Sequence, residues 1–135
     1  MNIVVAESAG FCYGVKNAVE KTKKALAENK IVYSLDMLVH NERVIEELKE
    51  QGLKIVSELS SVPYHSTILV RAHGVSKDTI QEYRERELNI IDLTCKNVKR
   101  IHEIVYKYSK DGYKIIIVGD KDHAEIKGII GWIDR

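Results

Sequence analysis

Thr67-Ile68-Leu69-Val70-Arg71, followed by Ala72-His73-Gly74-Val75-Ser76, is a strand that runs into a turn and then a helix start. Thr67, Ile68, Leu69 and Val70 are β-branched or apolar in an unbroken run, the strongest strand signal of the first half of the chain. Gly74 breaks the run, and Ser76 is a residue type that caps the helix expected to about Glu87, with Ile80 and Tyr83 inward.

Working outward, the same unit recurs on both sides. Ile3-Val4-Val5-Ala6 is a short apolar strand that leads into Gly10-Phe11-Cys12-Tyr13-Gly14-Val15. A helix follows from about Gly14 to Asn29, with Val15, Ala18, Val19, Thr22, Ala25 and Leu26 on one face. Ile31–Leu35 is the next strand. A helix capped by Asn41 carries Val44, Ile45 and Leu48 inward and ends at Gly52. Leu53–Val56 and Asn89–Leu93 are further strands. The helix after Cys95 is expected to bury Val98, Ile101, Val105 and Tyr108. Lys114–Gly119 is a last strand, with a helix beginning near His123. Strands that alternate with helices predict an α/β fold with a mainly parallel sheet.

Bulk properties narrow the function classes. A chain of 135 residues is long enough for one ordinary domain without disulfide staples. Lys and Arg number 21 against 20 Asp and Glu, so no net charge recruits nucleic acid or an anionic membrane. No apolar run approaches the ~18 residues of a membrane span, and residues 2–6 are too short for a secretory signal. The reading is a cytoplasmic protein whose two cysteines are reduced thiols, metal ligands or catalytic groups.

In open α/β sheets ligands bind beyond the carboxyl ends of the strands. Five such ends here carry a Cys or His: Cys12, His40, His73, Cys95 and His123, the last with Glu125 two residues on. His65, in a loop, and His102, within a helix, read as ordinary polar residues. Imidazoles at the starts of helices suit an anion such as a diphosphate. Thiolates from separate turns suit a soft metal or an iron–sulfur cluster. With no Cys-x-x-Cys pair, neither a zinc knuckle nor a thioredoxin-like motif is indicated. Glu125 beside His123 can move protons. Together these groups suggest reductive chemistry on a phosphorylated metabolite.

Five ordered motifs carry a resemblance: Gly10-Phe11-Cys12-Tyr13-Gly14-Val15, His40-Asn41, Arg71-Ala72-His73-Gly74-Val75, Asp92-Leu93-Thr94-Cys95, and His123-Ala124-Glu125 with Gly128. In this order and spacing the chain resembles the 4-hydroxy-3-methylbut-2-enyl diphosphate reductases, the IspH/LytB family of the non-mevalonate isoprenoid pathway. The resemblance implies a three-domain α/β fold, of which residues 1–96 form the first domain and 97–135 part of the second. It implies a [4Fe–4S] cluster with Cys12 and Cys95 as ligands. It also implies diphosphate binding by His40, His73 and His123, and proton supply by Glu125 with His123. A ferredoxin- or flavodoxin-type electron donor is the implied partner.

The chain departs from the pattern in length, about half, and in the third cluster cysteine, which it lacks. Lys96 and Ala124 stand where proline is usual. The expectation is an incomplete amino-terminal part of the reductase. The alternatives are a non-catalytic shortened paralogue, or phosphate- or partner-binding α/β module, and a zinc or thiol protein using Cys12, Cys95 and His123. Self-association through the truncated second domain is expected if Ile129, Ile130, Trp132 and Ile133 are exposed.

Overall fold

The computed structural model describes residues 1–7 and 9–134. Four parallel strands form one sheet: β1 (Val32–Leu35), β2 (Leu53–Val56), β3 (Thr67–Val70) and β4 (Asn89–Asp92), in the order β2-β1-β3-β4. Five α-helices alternate with or follow them: α1 (Tyr13–Glu28), α2 (Glu42–Glu50), α3 (Lys77–Glu85), α4 (Lys96–Lys110) and α5 (Ala124–Ile130). The α/β architecture expected from the sequence is the one observed.

The apolar periodicities explain the layers. Ala18, Ala25 and Leu26 of α1 and Ile45 and Leu48 of α2 bury against Val32, Leu53 and Leu69 on one face of the sheet. On the other face Tyr33, Ile68 and Val70 meet Tyr83 of α3 and Leu88. Consecutive strand residues thus serve opposite cores, which is why β3 reads as an unbroken apolar run. The caps fall where side-chain chemistry puts them. Asn41 Oδ1 accepts from Val44 N at 3.1 Å, and Ser76 Oγ accepts from Thr79 N at 3.0 Å.

Two expected strands do not form. Residues 3–6 are not in a strand, and Val4 is 90% exposed. Residues 114–119 are likewise unpaired, with Val118 94% exposed. Composition shows that a segment is suited to burial between neighbours, but a strand exists only where another backbone meets its N–H and C=O groups. Among the described residues none lies in register beside either run.

The stripe on α4 is also rotated from expectation. The buried positions are Val98, His102 and Val105, whereas Ile101 and Tyr108 face outward. Both sets obey a helical period, and His102, which the sequence marks as an ordinary polar residue, is the one that turns inward. At the chain's end Ile129 is buried and Ile130, Trp132 and Ile133 are half-buried. No helix among the described residues is long and apolar enough to cross a membrane.

Candidate anion and thiol site

The carboxyl ends of the strands and the helix starts that follow them gather the expected side chains at one end of the sheet. His73 lies just past β3, half-buried, and its ring is the middle one of three. The His40 ring, just before the α2 cap, stands edge-on to it at 5.0 Å between centroids. The His123 ring, at the N-cap of α5, stands edge-on at 6.0 Å on the other side. His40 and His123 are exposed, so the row opens to solvent. Two adjoining hollows serve it. One, of about 180 Å³, runs from Phe11 and Val15 to His40 and His73; the other, of about 360 Å³, reaches from His40 and His73 to Arg71 and Ala124.

Electrostatics single out the middle ring. Burial, then the charges of His40 and Arg71, hold the His73 imidazole below its ordinary 6.5, with Glu125 pulling weakly the other way and His123 adding to the depression. His73 is therefore neutral at pH 7, and its Nδ1 is buried without a partner. At His123 the tautomer follows from a hydrogen bond. Nδ1 accepts from the Glu125 backbone N–H at 3.3 Å, which in the neutral ring leaves the proton on Nε2 as a donor. Glu125 itself is half-buried within α5, close enough to act on both His73 and His102.

The thiols meet at Gly14. A Cβ placed on Gly14 would sit 3.0 Å from Cys95 Sγ and 4.0 Å from Cys12 Sγ. The two sulfurs are therefore separated by no more than the sum of those distances. Cys12 is the N-cap of α1 and Cys95 the N-cap of α4, and neither side chain is spent on a cap hydrogen bond. Glycine at 14 is needed for this close approach rather than for a special φ; the positive φ on this turn belongs to Gly10, at +142°. Cys95 is seated beside the histidine row because its N–H donates to Ala72 O at 2.9 Å, extending the β3–β4 register past the strand ends. Two thiols free of cap bonds, converging over a glycine, fit two ligands of a soft metal or cluster. Among the described residues no group of three or more His, Cys, Asp or Glu side chains converges as a metal site.

Three further residues shape the site. Asp92 shapes the Cys95 turn: its Oδ1 accepts from Thr94 N at 2.8 Å, and Lys99 Nζ lies 2.6 Å from Oδ2. Burial alone would raise the Asp92 carboxyl, but these hydrogen bonds outweigh it and hold the group below its ordinary range. Arg71 lines the hollow shared by His40 and His73 and pairs with Asp36 at 3.2 Å, which puts a fixed cation beside the row. Its place at the end of the strongest strand was the available signal. Lys96 Nζ lies 5.0 Å from the Tyr13 ring centroid, a cation–π contact across the two cysteine turns.

Lys96 and Ala124 are each the first residue of their helices, α4 and α5. Proline is favoured at that position because the N–H has no intrahelical acceptor and φ is already set. Replacing it there keeps the helix and gives up only pre-organisation.

The largest cavity among those described, about 520 Å³, lies elsewhere, between Val70 and Ile90 on its floor and Lys99, His102 and Trp132 at its side. It holds none of the three row histidines and neither thiol. His65 is also remote, pairing with Glu87 at 3.2 Å on the surface.

Residues 3–135 match the family described as LytB protein. The 4-hydroxy-3-methylbut-2-enyl diphosphate reductase of Clostridioides difficile (strain 630) is 40% identical over 136 residues, covering 100% of this chain and 49% of that protein. Its counterpart in Alkaliphilus oremlandii is 42% identical, with the same coverage. Among solved structures, an (E)-4-hydroxy-3-methyl-but-2-enyl diphosphate reductase superposes with a TM-score of 0.84 at 36% identity over 96% of this chain and 46% of that one. The Plasmodium falciparum reductase superposes with a TM-score of 0.87 at 30% identity over 93% of this chain and 40% of that one. The chain thus spans about half the length of these relatives, and by sequence and fold it belongs to the LytB family.

Proposed function

We propose that this chain supplies the diphosphate-binding and proton-donating groups, and two cluster thiols, of a 4-hydroxy-3-methylbut-2-enyl diphosphate reductase. The observation that carries the reading is the row of three imidazoles centred on His73, at 5.0 and 6.0 Å, beside a pair of thiols that share one glycine.

In this reading His40, His73 and His123 hold the diphosphate. An empty His73 is neutral. An arriving anion offsets the positive charges that depress it and draws a proton onto the ring, so binding and protonation go together. His123 donates from Nε2, the atom left protonated by the Glu125 contact. Glu125, the second residue of α5, is the group this reading assigns to proton transfer toward the departing hydroxyl, and His123 fixes the helix turn that carries it. The reaction replaces a carbon–oxygen bond by a carbon–hydrogen bond, consuming an electron pair and two protons and releasing water. A [4Fe–4S] cluster on Cys12 and Cys95, when bound, supplies the electrons and a Lewis acid. The sequence holds two cysteines, and both are assigned to the cluster in this reading.

The same reading puts the protein in the cytoplasm with a ferredoxin- or flavodoxin-type donor. It takes residues 1–96 as a first structural unit and 97–135 as the start of a second.

Anaerobic reconstitution with iron and sulfide, followed by iron counting and absorbance, tests the cluster assignment. Iron uptake that falls to background in both Cys12→Ser and Cys95→Ser supports it. Iron bound equally well without either cysteine would contradict it. A redox-silent phosphate-binding module is the second reading, favoured by the row of three imidazoles, which needs no metal to hold an anion. It predicts anion binding by the histidine row with no cysteine-dependent iron.

A further inference from the structure

His102 has no part in the chemistry above, yet it is the residue on which three site-bearing segments meet. It lies on α4, seven residues after Cys95, and is 4% exposed. The positions that share its face, Val98 and Val105, are aliphatic, and an aliphatic side chain there would bury without leaving a polar atom unmet. An imidazole stands there instead, with its Nε2 buried and unpartnered.

What the position demands is a thin, flat group. One face of the ring stacks on Trp132 at 5.1 Å and an interplanar angle of 16°. The ring edge abuts Gly74, where a Cβ would come within 2.6 Å of the His102 Cε1. Gly74, at φ +74°, directly follows His73, and Trp132 closes the segment that begins with His123 and Glu125. Two further contacts join the same two segments. Trp132 Nε1 donates to Val75 O at 2.9 Å, and a Cβ on Gly131 would lie 2.2 Å from that of Ser76. The ring of His102 is thus a spacer between the loop that carries His73 and the segment that carries His123.

We propose that His102 is a positioning residue: wedged between Gly74 and Trp132, it sets the separation of the His73 and His123 rings in the anion site. This rests on the reading of those rings as the diphosphate site. Its test is chosen so that the two can fail separately.

The experiment compares wild type, His102→Ala and His102→Gln in the full 135-residue chain. Gln is the conservative variant, because its planar amide can lie on the indole. Two quantities are read: the ring-to-ring NOE between His73 and His123 without ligand, and the affinity for inorganic pyrophosphate by calorimetry. Thermal melts report folding.

The Ala variant is expected to melt cooperatively, lose the NOE, and bind pyrophosphate about tenfold or more weakly. The Gln variant is expected to keep the NOE and stay within about threefold of wild type. An Ala variant that keeps both the NOE and the affinity overturns the proposal. Equal losses in Ala and Gln, tracking equal falls in melting temperature, also overturn it, because they mark His102 as general core. If wild type itself binds no pyrophosphate, the diphosphate reading fails, and the NOE comparison still decides the role of His102.

Discussion

β3 and the run at 115–118 are close relatives in sequence: Thr-Ile-Leu-Val before Arg71-Ala72-His73, and Ile-Ile-Ile-Val before a short turn to His123. Their fates differ. All four residues of β3 are buried between two layers and paired on both sides. The later run is unpaired and alternates between half-buried and exposed positions. Each still delivers a histidine to the same row. His73 is held by the strand ladder behind it. His123 has no ladder behind it and is held from the far side, by Gly131 against Ser76 and Trp132 against Val75. Apolar character thus reports how well a segment would bury, while position is decided by whatever it contacts.

The sharpest way to break this comparison is to truncate both segments. Leu69→Ala should cost about 2–5 kcal/mol in urea unfolding, because the residue is fully enclosed. Val118→Ala should change stability by no more than about 0.5 kcal/mol. A large loss at Val118 would mean that the run is packed after all. Next in size is the clamp. Gly131→Ala forces a methyl into Ser76 and should cost about 1–3 kcal/mol, displacing the His123 ring but leaving the β3 amide signals in place in an NMR spectrum.

A smaller effect separates the middle ring from its neighbours by pH. His73 has a folded pKa below the unfolded value of 6.5, so the unfolded chain takes up a proton first as pH falls. Its contribution is complete above 6.5, and stability declines as pH drops through 6.5 towards the depressed folded value. Urea midpoints at pH 7.5 and 5.5 should differ more for wild type than for His73→Gln; an equal difference would remove His73 as the source. Smallest are the helix starts. Ala124→Pro should raise stability by about 0.4–1 kcal/mol, as read from melts, since it stands at the first helical position, and Lys96→Pro should gain less because it also gives up the contact with Tyr13.

Much of this was legible before any coordinates. The 3.6-residue periods of α1 and α2 pick out Ala18, Thr22, Ala25, Leu26, Ile45 and Leu48 as buried, with Val15, Val19 and Val44 half-buried beside them, and the caps Asn41 and Ser76 mark helix starts to within a residue. The grouping of His40, His73 and His123 followed from the rule that strand ends converge. What could not be read was anything that depends on a partner in space. Ile3–Ala6 and Lys114–Gly119 have strand composition but no neighbour in register. On α4 two stripes satisfied the same period, and only the stack on Trp132 decides that His102 faces inward. The role of Gly14, clearance for Cys95, depends on α4 being in place.

The most direct test of the central claim is a calorimetric titration of inorganic pyrophosphate into this chain near pH 7, repeated in buffers of different ionisation enthalpy. The account predicts one binding event with net proton uptake, weakened about tenfold or more by His73→Ala. No binding, or binding that is indifferent to His73 and takes up no proton, would contradict it.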